Sequence, residues 1–315
     1  MKGTLRYLAG IAGPNGFGSR STAEQVTQHC FLPYSHLTAI ITGLSSLHFK
    51  WMISFEMLGI FKQFLWSRIS CVPFDERQVS ISSTKIKEPK FCCNTEAHHS
   101  SPRIRIFSPN LEFSEEKIEL TFATNFLGHY LLTEMLIEKM IDTAKKSGIE
   151  GRVINLTSVI HSWVKPDCFS FPELLHPTKY NGTKAYAQSK LATILHAKAL
   201  SRRLKDRNAN VTINAVHPGI VKTGIIRAHK GLLTDSLFLI ASKLLKSVSQ
   251  GAATTCYVAL SNETKRISGK YFADSNETNC SDLANDVSLA LKLCTNSHTL
   301  IHDYLHLSLP NLSLL

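Results

Sequence analysis

Two short apolar runs bracket one helical segment, and that order limits what the C-terminal half of this chain can become. Arg152-Val-Ile-Asn-Leu-Thr157 and Val211-Thr-Ile-Asn-Ala-Val216 both read as strands. Between them lies Ala185-Tyr-Ala-Gln-Ser-Lys190, which sets Tyr186 and Lys190 four residues apart. On a helix that spacing stacks the two side chains on one face. An ammonium beside a phenol favours phenolate and draws a group that ordinarily titrates near ~10 toward neutral pH. A tyrosine tuned in this way exchanges protons with a substrate oxygen at physiological pH. Because Tyr-x-x-x-Lys is common on exposed helices, the pair takes its meaning from its surroundings.

Those surroundings are specific. The first strand ends at Ser158, 28 residues before Tyr186. Upstream, Thr124-Asn-Phe-Leu-Gly-His129 falls within an amphipathic helix whose apolar positions are Ile118, Phe122, Phe126, Leu132, Met135 and Leu136. Downstream, the second strand runs into His217-Pro-Gly-Ile-Val-Lys-Thr223. Taken singly, Asn125 also suits a locally bonded helix amide, and Ser158 a strand-end cap. Taken in order, these elements resemble the short-chain dehydrogenase/reductase family. Asn125, Ser158, Tyr186 and Lys190 match its four catalytic positions, and Pro218-Gly219 with Thr223 match its nicotinamide-side loop. The resemblance runs from about Asn110 to about Asp303.

The resemblance implies an α/β fold with a doubly wound, Rossmann-like parallel sheet, here incomplete in its N-terminal half. It also implies roles. Tyr186 would be the general acid/base toward an alcohol or carbonyl substrate, and Lys190 would lower its pKa and bond the nicotinamide ribose. Ser158 would donate a hydrogen bond to the developing oxyanion, a contact worth ~3–4 kcal/mol when preorganised. Asn125 would kink its helix and hold a water connecting Lys190 to solvent. NADP(H) is expected ahead of NAD(H), with the hydride chemistry belonging to the cofactor.

Composition bounds the alternatives. The chain has 315 residues, 43% of them apolar, enough for one substantial core. Its net charge of +11 is spread over scattered runs such as Arg202-Arg203-Leu-Lys205 without aromatic interleaving, so a nucleic-acid partner is not expected. Eight cysteines show no Cys-x-x-Cys spacing, which reads as a reduced, intracellular protein. Cys92-Cys93 followed by His98-His99 lacks the usual ligand spacing, so no metal is expected. The apolar stretches Trp51–Trp66 and Leu232–Leu245 are each broken by charges and fall short of a membrane span. The second reads as an amphipathic lid or surface helix, with peripheral membrane contact as the alternative, and the N-terminus carries no signal-peptide pattern.

The first third of the chain breaks the pattern. Ser21-Thr-Ala-Glu24 predicts a capping box and a short helix within an N-terminal arm, 1–36. The arm is similar to plant members close to the chloroplast inner-envelope translocon-associated dehydrogenases and the retinol-dehydrogenase-like group. Leu37-Thr-Ala-Ile-Ile-Thr-Gly43 then reads as the first strand of a nucleotide-binding sheet and its tight turn. The family continues with further glycines that let the backbone approach the pyrophosphate. Here only Gly43 survives, and Leu47 and Phe49 stand where the second and third glycines belong.

From 47 to 108 no second βαβ unit is legible, and nine Lys/Arg stand against five Asp/Glu. The abrupt return to pattern at Asn110 favours an altered transcript or gene model over a divergent domain. The expected organisation is therefore the arm, a single domain over 37–303 with a poorly ordered segment 47–108, and a tail, 304–315. Losing early strands should leave the strand at 152–157 with exposed apolar edges. Two functions follow: an oxidoreductase, or a catalytically inactive binding or scaffold protein or non-productive isoform that lacks a competent cofactor site. The arm points to the chloroplast, with the cytosol as alternative, and a homodimer is compatible with the resembled family.

Overall fold

The computed structural model describes residues 10–30, 107–221 and 245–308. Gly43, Thr223, the strand expected at 37–43 and the Trp51–Trp66 stretch lie outside the described residues, as do Cys92, Cys93, His98 and His99.

Three strands and their helices make a mixed α/β layer structure with one antiparallel addition. β1 (Gly151–Leu156) pairs in parallel with β2 (Val211–His217), in a register that places Gly151 opposite Val211 and Leu156 opposite Val216. β2 pairs in parallel with β3 (Tyr271–Ala273), and β3 pairs antiparallel with β4 (Asn276–Thr278), giving the order β1-β2-β3-β4. β2 is buried from Val211 to Val216, whereas every residue of β1 is only half-buried. β1 is therefore the end strand of the sheet among the described residues.

Strand alternation sends successive side chains to opposite faces, and each face has its own core. Val211, Ile213, Ala215 and Tyr271 join one apolar cluster, and Val216 and Phe272 join the other. The first cluster packs under α5 (Gly182–Asp206), the long helix between β1 and β2, and α7 (Val287–Ser308) lies against α5. The second packs under α6 (Val248–Leu260) and α1 (Ala23–His29). Helix α7 runs to Ser308, past the point where a tail was expected to begin.

The arm's helix begins one residue later than Ser21-Thr-Ala-Glu24 suggests. Thr22 is the N-cap, with Gln25 completing the capping box (Thr22 N–H to Gln25 Oε1, 2.9 Å; Gln25 N–H to Thr22 Oγ1, 3.3 Å). Ser21 is diverted by its neighbour, since its Oγ accepts the Gly18 N–H at 3.0 Å. The arm is then stitched to the other end of the chain. Ala23 N–H donates to Ser249 Oγ (3.2 Å), Asn276 Nδ2 donates to the Phe17 carbonyl (3.0 Å), and the Phe17 ring meets Tyr257 edge-on at 5.9 Å.

One arginine ties β1 to α6. Arg152 Nη1 lies 2.8–3.2 Å from the carbonyls of Val258, Ala259 and Ser261 and from Thr264 Oγ1, and Nε bonds Glu150 Oε1 at 2.9 Å. It thereby satisfies orphan carbonyls at the α6 C-terminus. Its side chain is 13% exposed, so these bonds form largely out of water. Arg152→Met keeps much of the apolar stem but strands those acceptors. Its urea unfolding should show a loss of about 2–3 kcal/mol; an unchanged midpoint would mean that α6 is held by its apolar face alone.

Candidate functional site

The tetrad positions converge at the C-terminal end of the parallel strands, where α/β sheets bind their ligands. Asn125 comes from a continuous helical stretch with an irregular middle. α2 (Leu120–Phe122) passes through a π-helical turn, Ala123–Leu127, into α3 (Gly128–Ser147). The resemblance implied a kink at Asn125, and the irregularity lies there as one π turn. That turn also resets the helix's phase. Phe122 and Phe126 are buried as the periodicity predicts, but beyond the turn the buried face is Tyr130, Ile137 and Ala144, and Met135 is exposed. A straight 3.6-residue reading carried past Leu127 could not find that face.

Asn125 is itself buried, and its Nδ2 donates to Ser189 Oγ at 3.1 Å. Ser189 Oγ in turn donates to the Tyr186 carbonyl at 2.8 Å. The amide is thus locked onto the turn of α5 that carries both Tyr186 and Lys190. At the strand end, Thr157 Oγ1 donates to the Lys190 carbonyl at 2.8 Å, and Lys190 Nζ donates to the Leu156 carbonyl at 3.2 Å. Ser158 is the first residue of the following turn and N-caps the 3₁₀ helix Val159–Trp163 through a long 3.5 Å contact to Ile160 N–H. Its hydroxyl is near enough to the Tyr186 phenol to act on it as a hydrogen-bond partner and favour the phenolate.

The electrostatics depart from the simple expectation for the pair. Burial raises the Tyr186 phenol above its ordinary 10, and the Ser158 hydrogen bond opposes that rise. These two causes govern the shift. Lys190 Nζ stands over the face of the ring, 5.6 Å from the centroid, and turns toward a carbonyl rather than toward the phenol oxygen. Burial in turn lowers Lys190 from 10.5 to about 8. The helix spacing brings the two side chains to one face as predicted, but desolvation governs both groups.

The last residues before the return to pattern at Asn110 also reach the site. Phe107 meets the Tyr186 ring edge-on at 6.4 Å. Its neighbours are pinned to the start of α5, where Tyr180 Oη donates to the Ser108 carbonyl at 2.9 Å. A Cβ at Gly182 would stand 2.1 Å from that same carbonyl oxygen.

Pro218 and Gly219 follow β2 at the same end of the sheet. Gly219 has φ +87°, and a Cβ there would come within 2.6 Å of the Lys246 side chain. Lys246 is buried, and its Nζ pairs with Asp274 Oδ1 at 2.7 Å while its N–H donates to the Ile220 carbonyl at 2.8 Å. This ion pair is the part of the site that no sequence motif announces, because Lys246 and Asp274 belong to separate elements joined only by the fold. Next to it, burial first and Lys246 second lower His217 to about 4. The buried His217 Nδ1 has no hydrogen-bond partner among the described residues.

Among the described residues no group of His, Cys, Asp and Glu is placed to hold a metal ion, and no helix is long and apolar enough to cross a membrane. Ser158, Tyr186, Lys190, Pro218 and Gly219 bring two hydroxyls, an amine and a Pro-Gly turn to the strand ends, a set that suits a polar, ring-bearing ligand.

Comparison with known proteins gives the setting of these residues. No family model matches. The chain is 39% identical over 317 aligned positions to short-chain dehydrogenase TIC 32 A, chloroplastic, of Brassica napus, spanning 94% of this chain and 98% of the relative. It is equally 39% identical to the TIC 32 B protein of the same plant, over 91% of this chain and 94% of the relative. Human retinol dehydrogenase 14 is 36% identical over 60% of this chain and 54% of its own length. Among solved structures, carbonyl reductase Sniffer of D. melanogaster overlays with a TM-score of 0.36 at 20% identity, over 53% of this chain and 58% of its own.

Two predictions follow from the geometry. Gly→Ala inside a helix ordinarily stabilises by up to ~1 kcal/mol. Gly182→Ala should instead lower the melting temperature, because its Cβ meets backbone; a rise would place Ser108 elsewhere. For Lys190, the native pKa lies below the unfolded one, so the unfolded state binds more protons between pH 8 and 10.5 and stability rises with pH there. Lys190→Met removes that penalty. Denaturation across pH should find the variant favoured over wild type near pH 7, with the advantage shrinking between pH 8 and 10.5; a constant difference would refute the buried ammonium.

Proposed function

Because the chain belongs to the short-chain dehydrogenase/reductase family, we propose that it is an NAD(P)(H)-dependent oxidoreductase acting on a small alcohol or carbonyl substrate, with Tyr186 as its acid/base. The observation that carries this reading is the convergence of the four residues: Asn125 through Ser189, and Thr157 beside Ser158, fix the turn of α5 that bears Tyr186 and Lys190 on one face. In the reducing direction Tyr186 gives its phenolic proton to the carbonyl oxygen, and in the oxidising direction it takes the hydroxyl proton. Ser158 donates to the same oxygen as charge develops, a contact already oriented before reaction. Lys190, half-buried and easily deprotonated, restores or withdraws the proton on the side away from substrate. Asn125 acts through Ser189 by holding the Tyr186 turn of α5 in place.

The cofactor, when bound, supplies the hydride and, when oxidised, a positive charge that favours phenolate. Lys190, Pro218 and Gly219 would hold its nicotinamide end, with Thr223 and Gly43 as the further contacts that the family pattern suggests. Leu47 and Phe49, in place of glycines, argue for a weaker hold on the pyrophosphate. NADP(H) is favoured over NAD(H) by the net positive charge available to the third phosphate, the one on its adenosine ribose. The chloroplastic names of the two Brassica napus relatives support the same compartment here.

Titration with NADPH, followed by nicotinamide fluorescence, tests the reading and separates it from an inactive binding protein. Saturable binding is expected, and its absence at millimolar cofactor sinks the enzyme assignment. With binding in hand, Tyr186→Phe should cost about 10³-fold or more in turnover and leave cofactor affinity nearly unchanged.

A further inference from the structure

We propose that His161 is a positioning residue that holds Ser158 in the orientation from which its hydroxyl reaches the Tyr186 phenol. His161 lies in the 3₁₀ turn after β1 and is 2% exposed. Both ring nitrogens are occupied by backbone groups whose roles are fixed by chemistry. Nδ1 lies 2.7 Å from the Ser158 carbonyl, which only accepts, so Nδ1 carries the proton. Nε2 lies 3.2 Å from the Ser281 N–H, which only donates, so Nε2 is bare. One tautomer of the neutral ring satisfies both, and an imidazolium would set a second N–H against that of Ser281. Burial agrees, holding His161 below its ordinary 6.5.

The consequence falls on Ser158. Its carbonyl accepts twice from His161, once from the backbone N–H at 3.1 Å and once from the ring. Its backbone is extended (φ −147°, ψ 153°), and its hydroxyl is held locally by no more than the long contact to Ile160, which leaves it available to the Tyr186 phenol. The ring is therefore the shortest bond that Ser158 makes. Its other end is anchored on Ser281, which N-caps the 3₁₀ helix Asp282–Asn285 beyond β4. The Tyr271 ring of β3 stands 5.1 Å away and closes that side. His161 thus braces the end of β1 against elements two strands away. A serine at a strand end, free to turn about its backbone, would share its hydroxyl with solvent; the braced one is held for the phenol.

This inference rests on the roles given above to Ser158 and Tyr186, but its test needs neither cofactor nor turnover, so the two fail separately. Tyrosine labelled at ¹³Cζ reports phenol ionisation in the full chain, with Tyr186 assigned from Tyr186→Phe. Ser158→Ala should raise the Tyr186 midpoint by about half to one pH unit, or roughly 3- to 10-fold in acid dissociation, the worth of one hydrogen bond. His161→Ala should move it in the same direction. His161→Asn, whose amide N–H takes the place of Nδ1–H, should restore the wild-type midpoint, whereas His161→Gln should not. A folded His161→Ala with Tyr186 unmoved overturns the proposal. Should that variant fail to fold, the Asn and Gln variants decide: equal midpoints in both overturn it, and rescue by Asn alone supports it.

Discussion

Thr157 and Lys190 share a hydrogen bond, hydroxyl to carbonyl at 2.8 Å, and the chemistry of the chain hangs on it. It joins the end of β1 to the middle of a 25-residue helix, and so fixes how far along α5 the strand end falls. A slip by one residue would turn Tyr186 about 100° away from Ser158, since an α-helix has 3.6 residues per turn. Because the contact is side chain to backbone, it does not depend on what Lys190 itself does. The ammonium can therefore be desolvated, and its pKa drawn down, without loosening the frame that holds it. Asn125 performs the corresponding service from the opposite side, through Ser189.

Legibility in the sequence tracks how local each interaction is. The order Asn125, Ser158, Tyr186, Lys190 and Pro218-Gly219 was readable because each residue sits at the end or on the face of an element with its own periodicity. The strands at 152–157 and 211–216 appear within a residue of where they were read. What escaped depends on partners far along the chain. Lys246 and Asp274 meet only after the sheet forms, and Arg152 reads as an ordinary charged strand residue until α6 arrives. Even the capping box moved by one position, because Ser21 had a competing donor in Gly18 that propensity alone does not weigh. Helical phase beyond Leu127 was illegible for another reason, since a π turn adds a residue that no hydrophobic pattern announces.

The pairing of Tyr186 and Lys190 illustrates the same division. Spacing places the two side chains together, but the sign of a pKa shift depends on burial and on where a charge points. The ring face, not the phenol oxygen, receives the ammonium, so proximity does not translate into a lowered phenol pKa. The only group opposing desolvation of the phenol is Ser158. That moves the burden of tuning from the conspicuous cation to a hydroxyl, and from the hydroxyl to whatever orients it.

The departure from family pattern over 47–108 bears on the two ends of the site unequally. The N-terminal arm is fastened to α6 and to the β3–β4 corner, and residue 107 is fastened to α5, so both ends of the intervening stretch are anchored on the same framework. Closing a chain between fixed points costs only logarithmically in its length, so the framework tolerates wide changes there. Both faces of the described sheet keep an apolar cluster of their own, one under α5 and α7 and one under α1 and α6. Among the described residues, the acid/base end of the site is held by Asn125, Thr157 and Ser189, with Phe107 against the Tyr186 ring. A pyrophosphate approaches a strand–helix turn closely only where that turn lacks side chains, and Leu47 and Phe49 stand where those glycines belong. Loss of pattern in this stretch therefore acts on cofactor grip before it acts on the geometry of Tyr186 and Ser158.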